Sequence, residues 1–307
     1  MIWQPLGDIL FANTHIPWAH SHLMGPTPIQ ISEDVIRVYV TCLDEFGIGR
    51  PTYIDVSSSK PTNVIAVNAA PILDVGAPGT FDDNGIMATS VLQVSPGTYY
   101  MYYAGFEICS KIRYRIFTGL AMSTDNGKSF NKISSVPILD RSDEEEFFRC
   151  GPNVLFQNGK FKLWYVGGGN WTDIEGKEMP VYELKYSESD DGIIWPKKGK
   201  TILPITKEDE HGFGRPWVTF SQSHGYQMFY SIRNRSLKAY RLGFATSTDG
   251  MQWDRKDSQV GLSVVPGTLS ATAIEYLATI SIRGKTYCFY NGDNFGEYGF
   301  SVSELIE

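Results

Sequence analysis

Residues Arg215–Trp253 open with RPWVTFSQSHGYQMFYS (Arg215–Ser231) and close with YRLGFATSTDGMQW (Tyr240–Trp253). The stretch holds three short apolar runs with strand-like alternation and two turns, so it reads as consecutive hairpins. The same plan occurs upstream in CGPNVLFQNGKFKLWYVGGGNW and YELKYSESDDGIIW, and before that in NGIMATSVLQVSPGTYYMYYAGFE and FTGLAMSTDNGKSF. A single antiparallel unit of this size cannot bury both of its faces. Repeated units can bury them against one another, so the fold follows from the repeat.

Five runs carry the pattern: IRVYVT, TYYMYYAG, KFKLWYVGG, GYQMFYS and KTYCFYNG. Their central aromatics, Tyr39, Tyr102, Trp164, Phe229 and Phe289, are spaced by 63, 62, 65 and 60 residues. Three of the runs are followed by a further strand ending in Asp125-Asn126-Gly127, Asp191-Gly192 or Asp249-Gly250, and then by Phe130, Trp195 or Trp253. Asp, Asn and Gly supply the turn conformations needed there, and we read this element as structural. PILD at Pro71–Asp74, PILD at Pro137–Asp140 and TILP at Thr201–Pro204 read as outer edge strands.

The pattern predicts an all-β fold, a five-bladed β-propeller with four strands per blade, forming one domain over residues 1–307. The blades are expected near 20–73, 81–139, 147–203 and 214–264, with the fifth formed by 272–307 plus an N-terminal strand over Trp3–Leu10. That strand closes the ring and removes an exposed sheet edge. A β-sandwich is the rival, but it gives no reason for a repeat near 60 residues.

The 307 residues carry a net charge of −7, and no basic stripe is present, which argues against a nucleic-acid partner. No apolar run reaches membrane-spanning length, so no membrane insertion is expected. MIWQPLGDILFANTH lacks a basic segment before a long apolar one. The four cysteines, Cys42, Cys109, Cys150 and Cys288, are widely spaced and read as free thiols, so a cytoplasmic location is expected. Asn170-Trp171-Thr172 and Asn234-Arg235-Ser236 match the glycosylation triplet, which arises often by chance.

In a propeller the innermost strands line a central channel, and their starts face one mouth of it. Those starts are AHSHLMGP, GTFDDNG, EEEFFRCGP, HGFGRP and ATAIEY. They bring carboxylates (Asp82, Asp83, Glu145, Glu146, Glu275), imidazoles (His20, His22, His211) and guanidiniums (Arg149, Arg215) toward one funnel. Trp18, Trp171 and Trp217 flank these segments and offer faces on which a sugar ring can stack. Each residue also has a structural reading: Asp82 and Asp83 as turn caps, the glutamates as a solvated loop, the arginines as braces and the tryptophans as core. His20 and His22 lie two apart, which on a strand points both the same way. No third ligand follows them at a telling spacing, so no metal and no cofactor are assigned.

The five equal repeats, together with CGPNVLF…GKFKLWY and GRPWVTF…GYQMFYS, resemble the five-bladed glycosidase superfamily of invertases, levansucrases, arabinanases, xylosidases and mannoside phosphorylases. FDDNGIMATSVL, YELKYSESDDGIIW, YRLGFATSTDG and YNGDNFGEYGF look like an uncharacterised bacterial branch that accompanies polysaccharide-biosynthesis genes. The resemblance implies a carbohydrate-active protein, with a glycan or nucleotide-sugar ligand. The chain departs from the hydrolase pattern, however. The starts of blades one, three and four carry SHLMGPTP, Arg149-Cys150-Gly151-Pro152 and Gly214-Arg215-Pro216, where hydrolases usually place Asp, Asp and Glu.

Three readings follow. The first is a glycoside hydrolase-like enzyme, with Asp82 or the alternative Asp83 as acid or base and Glu275 as the second carboxylate. Two carboxylates must then flank the bond, roughly 6.5–9.5 Å apart for inversion. The second is a phosphorylase, using one acid with Arg149 and Arg215 as a phosphate cradle and His20, His22, Trp171 and Trp217 as sugar contacts. The third is a propeller that binds glycan or nucleotide-sugar without catalysis.

Overall fold

The computed structural model describes residues 1–307. Regular structure is almost entirely β. Helical pieces are single turns at Phe11–Asn13, Asp257–Gln259 and Asp293–Gly296. No helix is long and apolar enough to cross a membrane. All four cysteines are free.

The strands are β1 (Trp3–Leu10), β2 (Ser21–Gln30), β3 (Val35–Leu43), β4 (Gly49–Ser57) and β5 (Val64–Val67). Next come β6 (Ile86–Ser95), β7 (Thr98–Ile108), β8 (Tyr114–Ser123), β9 (Asn131–Lys132) and β10 (Phe148–Gln157). Then β11 (Lys160–Ile174), β12 (Lys177–Ser189), β13 (Lys200–Leu203), β14 (Glu210–Ser221) and β15 (Gly225–Asn234). The last are β16 (Tyr240–Ser247), β17 (Asp254–Arg255), β18 (Glu275–Ile282), β19 (Lys285–Asn291) and β20 (Gly299–Leu305).

Antiparallel ladders run β2-β3-β4-β5, β6-β7-β8-β9, β10-β11-β12-β13 and β14-β15-β16-β17. The last ladder is β18-β19-β20-β1, so the first strand of the chain pairs with the last. Short parallel bridges, Phe148↔Ile116 and Tyr182↔Gly212, join the three middle meanders into one twelve-stranded sheet, leaving two separate sheets of four.

The core lies between meanders. Tyr39 packs with Tyr99, Tyr103 and Phe130 of the second meander, and Tyr102 and Leu120 pack with Leu163, Tyr165 and Trp195 of the third. Trp164 and Tyr186 meet Tyr226 and Met228 of the fourth, and Phe229 and Phe244 meet Leu277 and Cys288 of the fifth. Phe289, Phe300 and Ile9 then pack on Ile36, Val38 and Ile54 of the first.

The repeating aromatics explain how neighbours are registered. Ser123, Ser189 and Ser247 each accept the N–H of the turn glycine three or four residues on, at 2.8–3.0 Å, while Asp125, Asp191 and Asp249 cap the turn. Each turn then offers its glycine carbonyl to the preceding meander: Tyr39 Oη donates to Gly127 at 2.8 Å, Tyr102 Oη to Gly192 at 2.9 Å and Trp164 Nε1 to Gly250 at 2.7 Å. Phe229 and Phe289 have no polar tip, and the meanders that follow them have no such turn. The turn glycines at 127, 192 and 250 have φ of 72°, 72° and 79°, where a Cβ is strained.

The first strand of every meander slips register near its start, between Met24 and Thr27, Ala88 and Ser90, Cys150 and Asn153, Gly214 and Trp217, and Glu275 and Ala278. A bulge re-aims the residues before it, and here it frees N–H groups for lateral bonds. Val154 N–H donates to Ser90 Oγ, Val218 N–H to Asn153 Oδ1, Tyr276 N–H to Ser231 Oγ and Gly25 N–H to Asn291 Oδ1, at 2.7–3.1 Å.

Of the three expected outer strands only TILP is one, within β13. The outer strands of the first two meanders are β5 and β9, upstream of their PILD segments. The PILD segments keep only a trace of edge pairing, Leu139 bridging Thr118 of β8 and the Ile72 N–H donating to the Pro51 carbonyl of β4 at 2.9 Å, while Ile72, Leu73 and Leu139 are buried between meanders.

Candidate functional site

In an antiparallel meander the starts of the first and third strands and the end of the second share one edge. A cavity of about 640 Å³ opens at that edge and takes lining residues from every meander, from Met24 in the first to Tyr276 in the fifth. Six aromatic residues stand in its wall: Phe106, Tyr114, Tyr182, Tyr240, Tyr276 and Phe295. Phe295 stacks on Tyr276 with centroids 6.2 Å apart, and Tyr240 meets both rings at 5.8–6.1 Å.

Glu275, at the start of β18, is the only carboxyl group in this lining, and it is 1% exposed. Its Oε2 has no partner. Burial pushes its pKa up to about 8, against the pull of Arg233 and a bond from the Phe295 N–H. At neutral pH Glu275 is therefore a carboxylic acid with a proton to give. It is held by an unusual backbone: Tyr276, Asn294 and Phe295 all have positive φ (57°, 52° and 60°). Such residues persist only where the surroundings fix them. The Tyr276 N–H donates to Ser231 Oγ at 2.9 Å, and its carbonyl accepts from Arg215 at 3.2 Å.

Against this one acid the lining sets Arg113, Lys177, Arg233, Arg235 and Lys238. Only Lys238 has a carboxylate partner, Glu175. Arg233 instead lies over the rings of Tyr240 and Tyr182, at 4.8 and 5.5 Å, and donates to both hydroxyls. Arg235 donates to Thr172 Oγ1 at 3.1 Å, and Arg113 reaches Met179 Sδ at 3.6 Å. In a chain of net charge −7, unneutralised cations gathered around one neutral acid make a site for an anion.

His211, 3% exposed, also lines the cavity. Its Nδ1 lies 3.1 Å from the Pro180 carbonyl, which can only accept, so the proton is on Nδ1 and Nε2 is left as an acceptor. Burial, then Arg233 and Arg235, lower its pKa, so the ring is neutral at pH 7. A second hollow, of about 270 Å³, adjoins and shares His211 and Arg235.

The residues singled out from the sequence separate in space. Glu275 and His211 line the main cavity; Asp82, Asp83, Arg149, Arg215, His20, His22, Trp171 and Trp217 do not. Asp82 is buried and bound to Lys132 Nζ at 2.7 Å, Tyr103 Oη at 2.9 Å and Thr80 Oγ1 at 3.0 Å. Asp83 accepts the Gly79 N–H at 2.7 Å and caps its turn. Arg149 is consumed by Glu145 at 2.5 Å and the carbonyls of Asp140 and Pro196.

Arg215 is buried with no carboxylate. It donates to the carbonyls of Pro26, Thr89 and Tyr276 and to Thr27 Oγ1, which bolts the inner strands of four meanders together. Burial lowers its pKa to about 9, which still leaves it charged at neutral pH. His20 is exposed ahead of β2, and His22 takes φ 71°, so strand alternation does not apply and the two do not form a pair. Burial lowers the pKa of His22, whose Nδ1 meets Ser21 Oγ at 2.7 Å. Trp171 backs Tyr114 from behind, 5.6 Å away, and Trp217 is core, donating to the Thr279 carbonyl at 3.1 Å.

The cations of the site were missed because they sit at the second-strand end (Arg233), in its hairpin (Arg235, Lys238) and at third-strand starts (Arg113, Lys177). The available signal was the run IRNRSLK (Ile232–Lys238), three cations in a hairpin on the funnel edge.

No protein-family model matches the chain. Uncharacterized protein Rv1502 of Mycobacterium tuberculosis is 28% identical over 305 residues, covering 99% of each chain. A 1,2-beta-oligomannan phosphorylase of Thermoanaerobacter sp. is 28% identical over 134 residues, 41% of this chain and 43% of that one. Among solved structures, one described as a glycoside hydrolase superposes with a TM-score of 0.74 at 17% identity, covering 98% of this chain and 91% of its own. Another, from work on mannoside phosphorylases and glycoside hydrolases of the GH130 family that target beta-1,2 mannosidic linkages in Candida mannan, gives 0.63 at 14%, covering 93% and 85%. At these identities the likeness is one of fold: an all-β chain whose neighbours are propellers of the glycoside hydrolase type.

Proposed function

We propose that the chain is one carbohydrate-active domain over residues 1–307, a five-bladed propeller closed by β1, that cleaves a glycosidic bond with phosphate. Five four-stranded ladders, and a core whose fifth interface returns to the first meander, support the ring. The observation that carries the activity is the lining of the main cavity, one protonated carboxyl group facing several unneutralised cations. A hydrolase of the inverting kind needs a second carboxylate to activate water. A phosphorylase needs none, because phosphate is itself the charged nucleophile. The phosphorylase named among the relatives supports the same reading.

In this mechanism Glu275 donates its proton to the glycosidic oxygen as the C–O bond breaks. An oxygen of hydrogen phosphate forms the new bond to the anomeric carbon, and the proton carried by phosphate returns the carboxylate to its acid form. The products are a sugar 1-phosphate and the shortened glycan. Arg233 and Arg235, with Arg113 and Lys177 at the mouth, hold the phosphate; Arg149 and Arg215 do not, since neither lines the cavity and their terminal nitrogens are spent on groups of the fold. The aromatic wall excludes water and stacks on the sugar.

The test is incubation of the protein with β-1,2-linked manno-oligosaccharides and inorganic phosphate, assayed for sugar 1-phosphate. Phosphate-dependent product that falls at least ~100-fold in Glu275→Gln is expected. Cleavage that proceeds equally without phosphate, or full activity in Glu275→Gln, overturns the reading.

A further inference from the structure

Beside the main cavity, the smaller hollow has only two apolar lining residues, Val181 and Ile205. It exists because of Gly167-Gly168-Gly169. Gly167 pairs with Glu183, and the ladder then slips before Asn170 and Val181. A Cβ on Gly168 would stand 2.3 Å from the Val181 carbonyl, and one on Gly167 would stand 2.7 Å from Lys185. At about 30 Å³ per liquid water, 270 Å³ holds about nine waters, room for one sugar ring but not for a chain.

Its polar groups are suited to hydroxyls. Three carboxylates line it. Glu144 is paired with Lys198 at 2.5 Å, and Glu210 is held by both arms of Arg255 at 2.7 and 2.9 Å. Glu183 has no cation and only a 3.3 Å bond from Thr201 Oγ1. His211 is more than nine-tenths buried, and its Nε2 acceptor has no protein partner. Glu183 and His211 can therefore accept two hydroxyl protons, while Arg235 donates to hydroxyl oxygens. With three carboxylates set against Lys185 and Arg235, this hollow has no surplus of positive charge to hold an anion, whereas its neighbour has several cations and one neutral acid.

We infer that the two cavities are consecutive subsites of one cleft, the glycine-floored hollow taking a neutral sugar ring whose hydroxyls are read by Glu183 and His211. The ligand is then a neutral glycan of at least two units, with phosphate confined to the larger cavity. This deepens the phosphorolytic reading of that cavity and can be tested apart from it.

The experiment is calorimetric titration of the full chain, in phosphate-free buffer, with mannose, glucose and galactose and their homodisaccharides, β-1,2-mannobiose included. Inorganic phosphate is titrated separately. At least one disaccharide should bind tenfold or more tightly than its monosaccharide. Gly169→Leu, which fills the hollow, should abolish that advantage. A Cβ there meets nothing closer than 3.4 Å. Glu183→Gln should reduce the advantage about tenfold, and both variants should bind phosphate as the parent does. If no disaccharide outbinds its monosaccharide, or both variants keep the advantage, the inference is overturned. If phosphate fails to bind while the disaccharide advantage and its loss hold, the second subsite stands and phosphorolysis falls.

Discussion

Glu275 and Arg233 share a cavity without forming an ion pair, and this decides the chemistry of both. Burial outweighs the attraction of Arg233, so the Glu275 acid keeps its proton up to about pH 8 against an ordinary 4.5. The folded state therefore holds a proton that the unfolded chain releases over that window. Stability contributed by the neutral acid is complete below about pH 4.5 and is lost as pH rises toward 8, with a slope of at most about 1.4 kcal/mol per unit. Glu275→Gln should flatten this part of the profile. Urea unfolding from pH 5 to 9 checks it, and parallel curves for parent and variant would refute the assignment. Glu275 was legible in the sequence because it opens a repeat. Arg233 was not, because proximity across a meander edge is set by pairing between strands rather than by position in the repeat. Asp82 shows the converse: a carboxylate in the expected place, removed from the site by Lys132 and Tyr103, neither of which is near it in the chain.

At the scale of elements, the aromatic tip and the Asp-Gly turn act as plug and socket between consecutive meanders. Tyr39→Phe should cost about 1 kcal/mol, since the Gly127 carbonyl loses its donor. Phe229→Tyr should also destabilise, because the meander it packs against has no such turn and the new hydroxyl is buried without an acceptor. Both are read from denaturant midpoints at constant slope, and a stabilised Phe229→Tyr would contradict the scheme. The strands themselves were legible from alternation, and the Asp-Gly turns from composition. PILD reads as an edge strand from sequence because proline beside aliphatics suits both an edge and a buried plug. Burial of Ile72 and Leu139 between meanders, a long-range effect, holds each segment to one or two edge bonds instead of a full strand.

For the whole molecule, β1 is the piece that links beginning to end. Trp3 is buried against Phe229 and donates to the Val260 carbonyl at 2.8 Å, so it ties the N-terminus to the fourth meander as well as to the fifth. Trp3→Ala should cost about 3 kcal/mol. Removal of residues 1–10 should expose the edge of β20 and produce aggregation, seen by size-exclusion chromatography. A deletion that elutes as the parent does, with an unchanged melting temperature, would show that the β1–β20 pairing is dispensable. The sequence alone determined the periodic part: five aromatic-centred strands at near-equal spacing, their turns, and a first strand left over for the last sheet. Those are local signals, because alternation and turn chemistry act between near neighbours. Tertiary structure decided which charged groups are taken up by one another and which remain free. Arg149 and Arg215 are absorbed by carbonyls and a glutamate, while Arg233 keeps its charge for the cavity, because partners at such distances in the chain meet only when the meanders pack.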